Sequence, residues 1–287
     1  MAEIIYRDMD KAALDAGYNA RASVPDPMVY LNMYREKTDA VKEKLPDYKT
    51  HHYGDGADET LDLYLADEGA PLFVYIHGGY WRALGREDSG FMVENMIAHG
   101  ISVAVLNYSL VPAVTLDGIV HQMHMALAWL WQNADGQTYD KNRIYVAGSS
   151  AGGHLSAMML GDSWLTDFGL KQNPVVGGIL ISGIYDIKPL QLCLINDWMN
   201  FDDNTVARNS PIHHIPKNCP PLIVTYGGNE SSEFRRQAEE YSESLTTAGH
   251  SVDCFGVPMR NHFDIVLDMC ESDSMFFKKI KAMILGD

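Results

Sequence analysis

RIYVAGSSAGGHLSAMML, residues 143–160, reads as a strand, a sharp turn and a helix in immediate succession. The aromatic and β-branched run RIYVA suits a buried strand, and GGHLSAMML suits a helix. Between them stands Gly148-Ser149-Ser150-Ala151-Gly152. A G-x-S-x-G pentapeptide alone arises by chance. Placed between strand and helix, it marks a turn so tight that its flanks must be small and its serine stands exposed above a sheet. The helix that follows begins with N–H groups that lack intrahelical partners and with the positive end of its dipole. Ser150 is therefore the expected nucleophile, and the N–H of Ala151 one expected donor to a developing oxyanion.

Strand-like runs continue on both sides, at residues 61–65, 72–76, 101–106, 175–181, 222–226 and 252–257. Helical periodicity fills most gaps, at 92–99, 120–131, 233–245 and 265–285. Apolar strands alternating with helices predict a mostly parallel central sheet of about eight strands covered on both faces, an α/β class. Residues 49–53 and 61–65, around GDGAD, predict an antiparallel hairpin at one edge. The alternation lapses over 184–219, a stretch rich in Pro, Asn and Asp that is expected to form a small cap. Residues 1–48, a helical segment carrying Tyr18, Tyr30, Met33 and Tyr34, are expected to add a second layer to it. The expected organisation is one domain, 1–287, with these two excursions.

Composition narrows the function classes. The chain has 287 residues, 46% of them hydrophobic, and a formal net charge of −16. That balance argues against nucleic-acid and anionic-membrane partners, which want basic surface. Cys193, Cys219, Cys254 and Cys270 are widely spaced with no Cys-x-x-Cys pair, so reduced thiols are expected rather than disulfides or a zinc site. The N-terminus, MAEIIYRDMDKAALD, is charged where a signal peptide needs an apolar run, and no apolar run approaches the roughly 18 residues of a membrane helix. A soluble cytoplasmic protein is the expectation.

Two further motifs complete a site. His77-Gly78-Gly79-Tyr80-Trp81 follows the strand LFVYI, where a loop can supply the second oxyanion donor; Gly78 and Gly79 let the backbone approach closely. Arg260-Asn261-His262-Phe263 follows the last strand, where the chain order Ser…Asp/Glu…His requires the base, so His262 is preferred over the other histidines. The third member, which orients the imidazole, should follow PPLIVTYGG, and Glu230 is the first carboxylate there. Asp186, one strand earlier in SGIYD, competes for the role. Tyr80, Trp81 and Tyr185 are the expected substrate-binding residues, with Tyr108, Trp198 and Phe263 nearby. Arg82 and Arg260 are candidates to meet a substrate carboxylate, against the commoner fate of a solvated or salt-bridged arginine.

With these residues in hand, the chain resembles the kynurenine formamidase (arylformamidase) branch of the α/β-hydrolases. The H-G-G-x-W motif of that branch is matched by His77 through Trp81. The likeness continues through GSSAGGH around Ser150, SGIYDIKPL from Ser182, ESSEFRRQ from Glu230 and NHFDIV from Asn261. Glu230 stands where the family usually has Asp, which supports it over Asp186. The resemblance implies the α/β-hydrolase fold and acyl-enzyme hydrolysis of an aryl formamide such as N-formylkynurenine; the serine–histidine cycle itself needs no metal or organic cofactor. The resemblance also makes a homodimer plausible. A short-chain carboxylesterase would use the same triad and differ only in pocket fit. A serine peptidase and a catalytically dead binding protein of the same fold are weaker readings, because the machinery for the first reaction is present and nothing selects peptides.

Overall fold

Alternation along each strand decides which layer a side chain joins. In the computed structural model, which describes residues 3–286, Leu72, Val74 and Ile76 of LFVYI enter one core, while Phe73 and Tyr75 enter a second core on the opposite face. Residues 1, 2 and 287, at the limits of the expected segments 1–48 and 1–287, lie outside the described residues. Eight strands form the main sheet: β1 (Lys49–His52), β2 (Thr60–Tyr64), β3 (Leu72–Ile76), β4 (Ser102–Leu106), β5 (Ile144–Ser149), β6 (Val175–Ile181), β7 (Leu222–Gly227) and β8 (Val252–Val257). Their spatial order is β8-β7-β6-β5-β3-β4-β2-β1. β1 and β2 form the expected edge hairpin, β2 runs antiparallel to β4, and the other neighbours are parallel.

Parallel pairing brings the strand ends that carry the motifs to one edge. Ile76 pairs with Gly148, Ser149 with Ile181, and Gly227 with Val257. The loops after β3, β5, β6, β7 and β8 therefore leave the sheet side by side. β3 and β5 are neighbours, yet the chain leaves β3 toward β4 on one side and β5 toward β6 on the other. Such a switch point opens a crevice at the carboxyl ends of the strands.

Helices α3 (Val93–Ala98), α4 (Leu116–Gln132), α5 (Ala151–Met158) and α9 (Ser232–Thr247) correspond to expected segments. The expected helix over 265–285 is instead two pieces, a 3-10 turn at Asp264–Cys270 and α10 (Met275–Leu285). Ser274 causes the break: its hydroxyl accepts from Phe277 N at 2.9 Å and starts α10 afresh.

Residues 184–219 hold α6 (Lys188–Gln191), α7 (Asn196–Met199) and α8 (Asp203–Arg208). Each is too short to show a helical period. The N-terminal segment forms a small hairpin, α1 (Lys11–Tyr18) and α2 (Pro27–Lys44). Asp10 and Asp26 cap these helices, accepting from Ala13 N and Met28 N. Tyr18, at the end of α1, docks on α9: its hydroxyl donates to Glu233 and accepts from Gln237 Nε2 at 2.8 Å. No described helix is long and apolar enough to cross a membrane.

Candidate active site

Ser150 adopts φ 57° and ψ −118°, a conformation of the kind that costs about 1–3 kcal/mol and persists only where surroundings enforce it. The surroundings are visible. A Cβ on Gly148 would lie 2.3 Å from the Gly152 carbonyl oxygen, and one on Gly152 would lie 2.0 Å from the Ile76 oxygen. The turn and the end of β3 thus interlock through backbone that only glycine permits. Ser150 N donates to Ile181 O at 2.8 Å, pinning the turn to β6.

The loop after β3 is aimed by its carbonyls. Tyr108 stacks on His77 at 4.1 Å, and its hydroxyl lies 3.0 Å from His77 O and 3.2 Å from Gly78 O. His77 Nδ1 also meets Gly78 O, at 2.9 Å. In a trans peptide the N–H points opposite to the C=O. Holding these two carbonyls on the Tyr108 side therefore turns the N–H groups of Gly78 and Gly79 the other way, and both glycines line the cavity that holds Ser150. Gly78 lies so close that an added Cβ would sit 3.2 Å from the Ser150 Cβ. Burial pushes the His77 imidazole down to about 4, which keeps it a neutral brace. His154, also pushed down to about 4 by burial, bonds Asn209 O and packs under Trp81.

Glu230 and His262 meet across the loops after β7 and β8. His262 Nδ1 lies 2.9 Å from Glu230 Oε2, and both side chains are buried. The other carboxylate oxygen accepts from the Ser182 hydroxyl and, at 2.6 Å, from Gly227 N. Glutamate's extra methylene lets the carboxylate fold back onto the N–H at the end of its own strand. Gly228 N to Val257 O and Asn229 N to Arg260 O, both 2.8 Å, join the two loops. The Asn261 side chain accepts from Phe263 N and Asp264 N, shaping the turn that presents His262. Asp186 is engaged elsewhere: its carboxylate accepts from Tyr6 Oη at 3.0 Å and from Lys188 N at 2.9 Å.

Ser150, His262, Gly78 and Gly79 line one cavity of about 430 Å³. Of the expected substrate-binding residues, only Tyr80 lines it, with its hydroxyl donating to Tyr18 O at 2.6 Å. Trp81 is a correction. It is fully buried in the core against His154 and Phe201, because the left-handed turn at Tyr80 and Trp81 swings the indole beneath the loop. Tyr185 is another correction: it stacks on Tyr241 at 4.4 Å, buried below Gly183. Tyr108 braces the loop from behind, whereas Trp198 and Phe263 are cavity walls. Arg260 pairs with Asp268 at 2.6 Å and is not a cavity residue, while Arg82 is one.

The motifs gave no sign of Ser182 as a partner of Glu230, nor of Asn19, Arg21 and Leu31 as walls, whereas Tyr18 and Tyr34 belong to the segment expected to layer over the cap and do line the cavity. For Ser182 the signal was its position at the end of β6, one strand from the acid loop.

Comparison with known proteins places this geometry in context. A model of the BD-FAE family matches residues 61–170, and one of the prolyl oligopeptidase family matches residues 120–273, which span Ser150, Glu230 and His262. Kynurenine formamidase of Salmo salar is 30% identical over 93% of this chain and 94% of its own length. That of Danio rerio is 32% identical over 81% of this chain and 80% of its own. Among solved structures, a thioesterase candidate from Silicibacter sp. TM1040 superposes with a TM-score of 0.81 and 26% identity, covering 95% of this chain and 98% of that one.

Proposed function

The chain belongs to the kynurenine formamidase family of the α/β-hydrolases, an arylformamidase-like group of serine hydrolases, and from that premise we propose that Ser150, His262 and Glu230 form its catalytic triad and that its substrate is an aryl formamide of the N-formylkynurenine type. The observation that carries the reading is the buried His262–Glu230 pair opening onto the cavity of Ser150 and the glycine loop. His262 Nε2 takes the Ser150 proton as Oγ bonds to the formyl carbon. The N–H groups of Gly78, Gly79 and Ala151 hold the oxyanion. The carbon–nitrogen bond then breaks, and His262 returns the proton to the departing aryl amine. Water, deprotonated by the same histidine, attacks the formyl-enzyme, releasing formate and restoring Ser150. Glu230 keeps the Nδ1 proton in place throughout, so that Nε2 is free to accept.

The cavity volume lies within the range of about 300–1,000 Å³ usual for small-molecule sites. Tyr80, Trp198, Phe91 and Phe263 give it flat apolar walls. We read residues 1–48 and 184–219 as a cap on one hydrolase domain. Four free cysteines suit a reducing, cytoplasmic setting, and the acidic surface argues against nucleic acid. The homodimer that the family resemblance allows would leave the chemistry within each copy, since the triad and the glycine loop come from one chain.

The test is hydrolysis of N-formylkynurenine beside p-nitrophenyl acetate, by the wild type and Ser150→Ala. Strong preference for the formamide, abolished by alanine, supports the reading. Cleavage of the ester alone replaces it with a short-chain carboxylesterase. Activity surviving in Ser150→Ala overturns the triad.

A further inference from the structure

The charge of the cavity lining runs against that of the protein. The chain carries 38 acidic and 22 basic residues, yet among the described residues the lining contains Arg21 and Arg82 and no aspartate or glutamate. Most arginines here hold a carboxylate: Arg7 has Glu240, Arg35 Asp88, Arg86 Asp62, Arg208 Asp117, Arg236 Glu233 and Arg260 Asp268. Arg21 and Arg82 have no carboxylate partner among the described residues. Arg82 is nonetheless placed. Its backbone N donates to Gly79 O at 3.1 Å, so it closes the turn that begins at an oxyanion glycine. Its guanidinium lies over the Trp198 ring, 4.3 Å from the centroid. A guanidinium held over a ring that accepts no hydrogen bond from it keeps N–H groups for a planar, bidentate acceptor.

We propose that Arg82, with Arg21 on the same cavity lining, forms an anion subsite at the exposed mouth of the cavity that binds a carboxylate on the substrate, and that no charged group of the site reads a substrate ammonium. The inference rests on the formamidase reading for the scissile group, not for the charge. An α-amino acid formamide is then selected by its carboxylate alone. Its ammonium meets no carboxylate among the described lining residues, so removing it is expected to change recognition little. The substrate class is accordingly aryl formamides bearing a distal carboxylate, amino acid or not.

The experiment compares kcat/KM within matched substrates for the wild type, Arg82→Gln, Arg82→Lys and Arg21→Gln. The formamides are N-formylkynurenine, its carboxamide and its des-amino analogue; the esters are p-nitrophenyl hydrogen succinate and p-nitrophenyl butyrate. Wild type should favour the acid over the carboxamide by tenfold or more, and should treat the des-amino acid within threefold of the parent. In Arg82→Gln the acid-to-carboxamide ratio should fall toward one, with Arg82→Lys between the two and Arg21→Gln lowering the ratio by a smaller factor. A wild-type ratio near one overturns the subsite, as does a ratio that survives in both glutamine variants. A tenfold loss with the des-amino acid overturns the claim about the ammonium. If no formamide is cleaved, the functional reading fails by itself, and the charged-to-neutral ester ratio in the same variants decides the subsite. The wild-type comparisons stand even where a variant folds poorly.

Discussion

Replacing Glu230 by glutamine changes one oxygen to NH2 and leaves the shape alone, and the surroundings dictate which way the amide must sit. Ser182 Oγ and Gly227 N both donate to Oε1. In Glu230→Gln the amide oxygen is held at that position by the Gly227 N–H, a donor that cannot rotate, whereas the Ser182 hydroxyl can serve either orientation. The NH2 group is thereby turned toward His262 Nδ1, the atom now 2.9 Å from Oε2. An imidazole facing a donor must accept at Nδ1, which places its proton on Nε2 and leaves it unable to take the Ser150 proton. Reversing the amide would set its NH2 against the Gly227 N–H, which cannot turn away, at about 1–3 kcal/mol for the buried donor left unsatisfied, whereas the Ser182 hydroxyl can rotate to accept. A locked wrong tautomer costs on the order of 10⁴ in kcat in serine hydrolases with an Asp at this position, and we expect a loss of 10³ to 10⁴ here on that ground. Adding Ser182→Ala should recover less than about threefold, because the Gly227 N–H alone still fixes the amide orientation. Stopped-flow or steady-state hydrolysis of a p-nitrophenyl ester measures both variants, with denaturant unfolding to show that each is folded. A folded Glu230→Gln enzyme within tenfold of wild type would refute the reasoning, because Glu230 would then not set the tautomer.

Other expectations follow from the same contacts. Gly152→Ala forces a Cβ to 2.0 Å from a backbone oxygen of β3, so the variant should fail to label with a serine-reactive fluorophosphonate; normal labelling would contradict the interlocked turn. Tyr18→Phe strips a hydroxyl that joins Glu233, Gln237 and Arg236. It should lower stability to urea by about 1–3 kcal/mol and raise KM more than it lowers kcat, since Tyr18 is also a cavity wall. His124, stacked on Trp164 and pushed down to about 4 by burial, titrates at its ordinary value once unfolded. As pH falls through that higher value the unfolded state binds the proton first, so stability present at pH 7 is lost between about 6.5 and 4. His124→Gln should therefore shrink the loss of unfolding free energy between pH 7 and 5 by about 2 kcal/mol; an unchanged pH dependence would show that this histidine is not held neutral.

The fold was legible because its signals are local. Strand composition, the small residues around Ser150 and the position of His262 after the last strand each follow from short-range sterics and chain order. The misreadings concern side-chain direction. Trp81 and Tyr185 lie in motif loops, and proximity in sequence suggested pocket walls. The left-handed backbone at Trp81 and the stack on Tyr241 send both rings into the core, and neither is encoded by a spacing. The break in the last helix was visible in retrospect in ESDS, 271–274, where an N-cap serine interrupts an otherwise apolar period. The far wall of the cavity was legible as a segment, residues 1–48 layered over the cap, but not residue by residue. Arg21, Leu31 and Tyr34 reach the site only because α1 and α2 fold back across a long stretch of chain.

That far wall is fastened to the catalytic loops themselves. Ser231, next to Glu230, donates to Gly17 O at 2.6 Å, and Glu233 receives the Tyr18 hydroxyl. On the other side, Asn261 donates to the Tyr30 hydroxyl, Tyr34 donates to Phe263 O, and Tyr30 stacks on Phe263. The residues flanking the acid and the base are thus the anchors of the N-terminal segment. Substrate fit and triad placement cannot vary independently in such an arrangement. A change that moves α1 or α2 pulls on the loops that carry Glu230 and His262. Grafting another relative's N-terminal segment onto this chain should therefore depress kcat as well as shift KM, unless the partners at 231, 233, 261 and 263 are exchanged with it. Recovery of kcat on that second exchange, measured with a small ester that makes little use of the far wall, separates mechanical coupling from loss of substrate contacts.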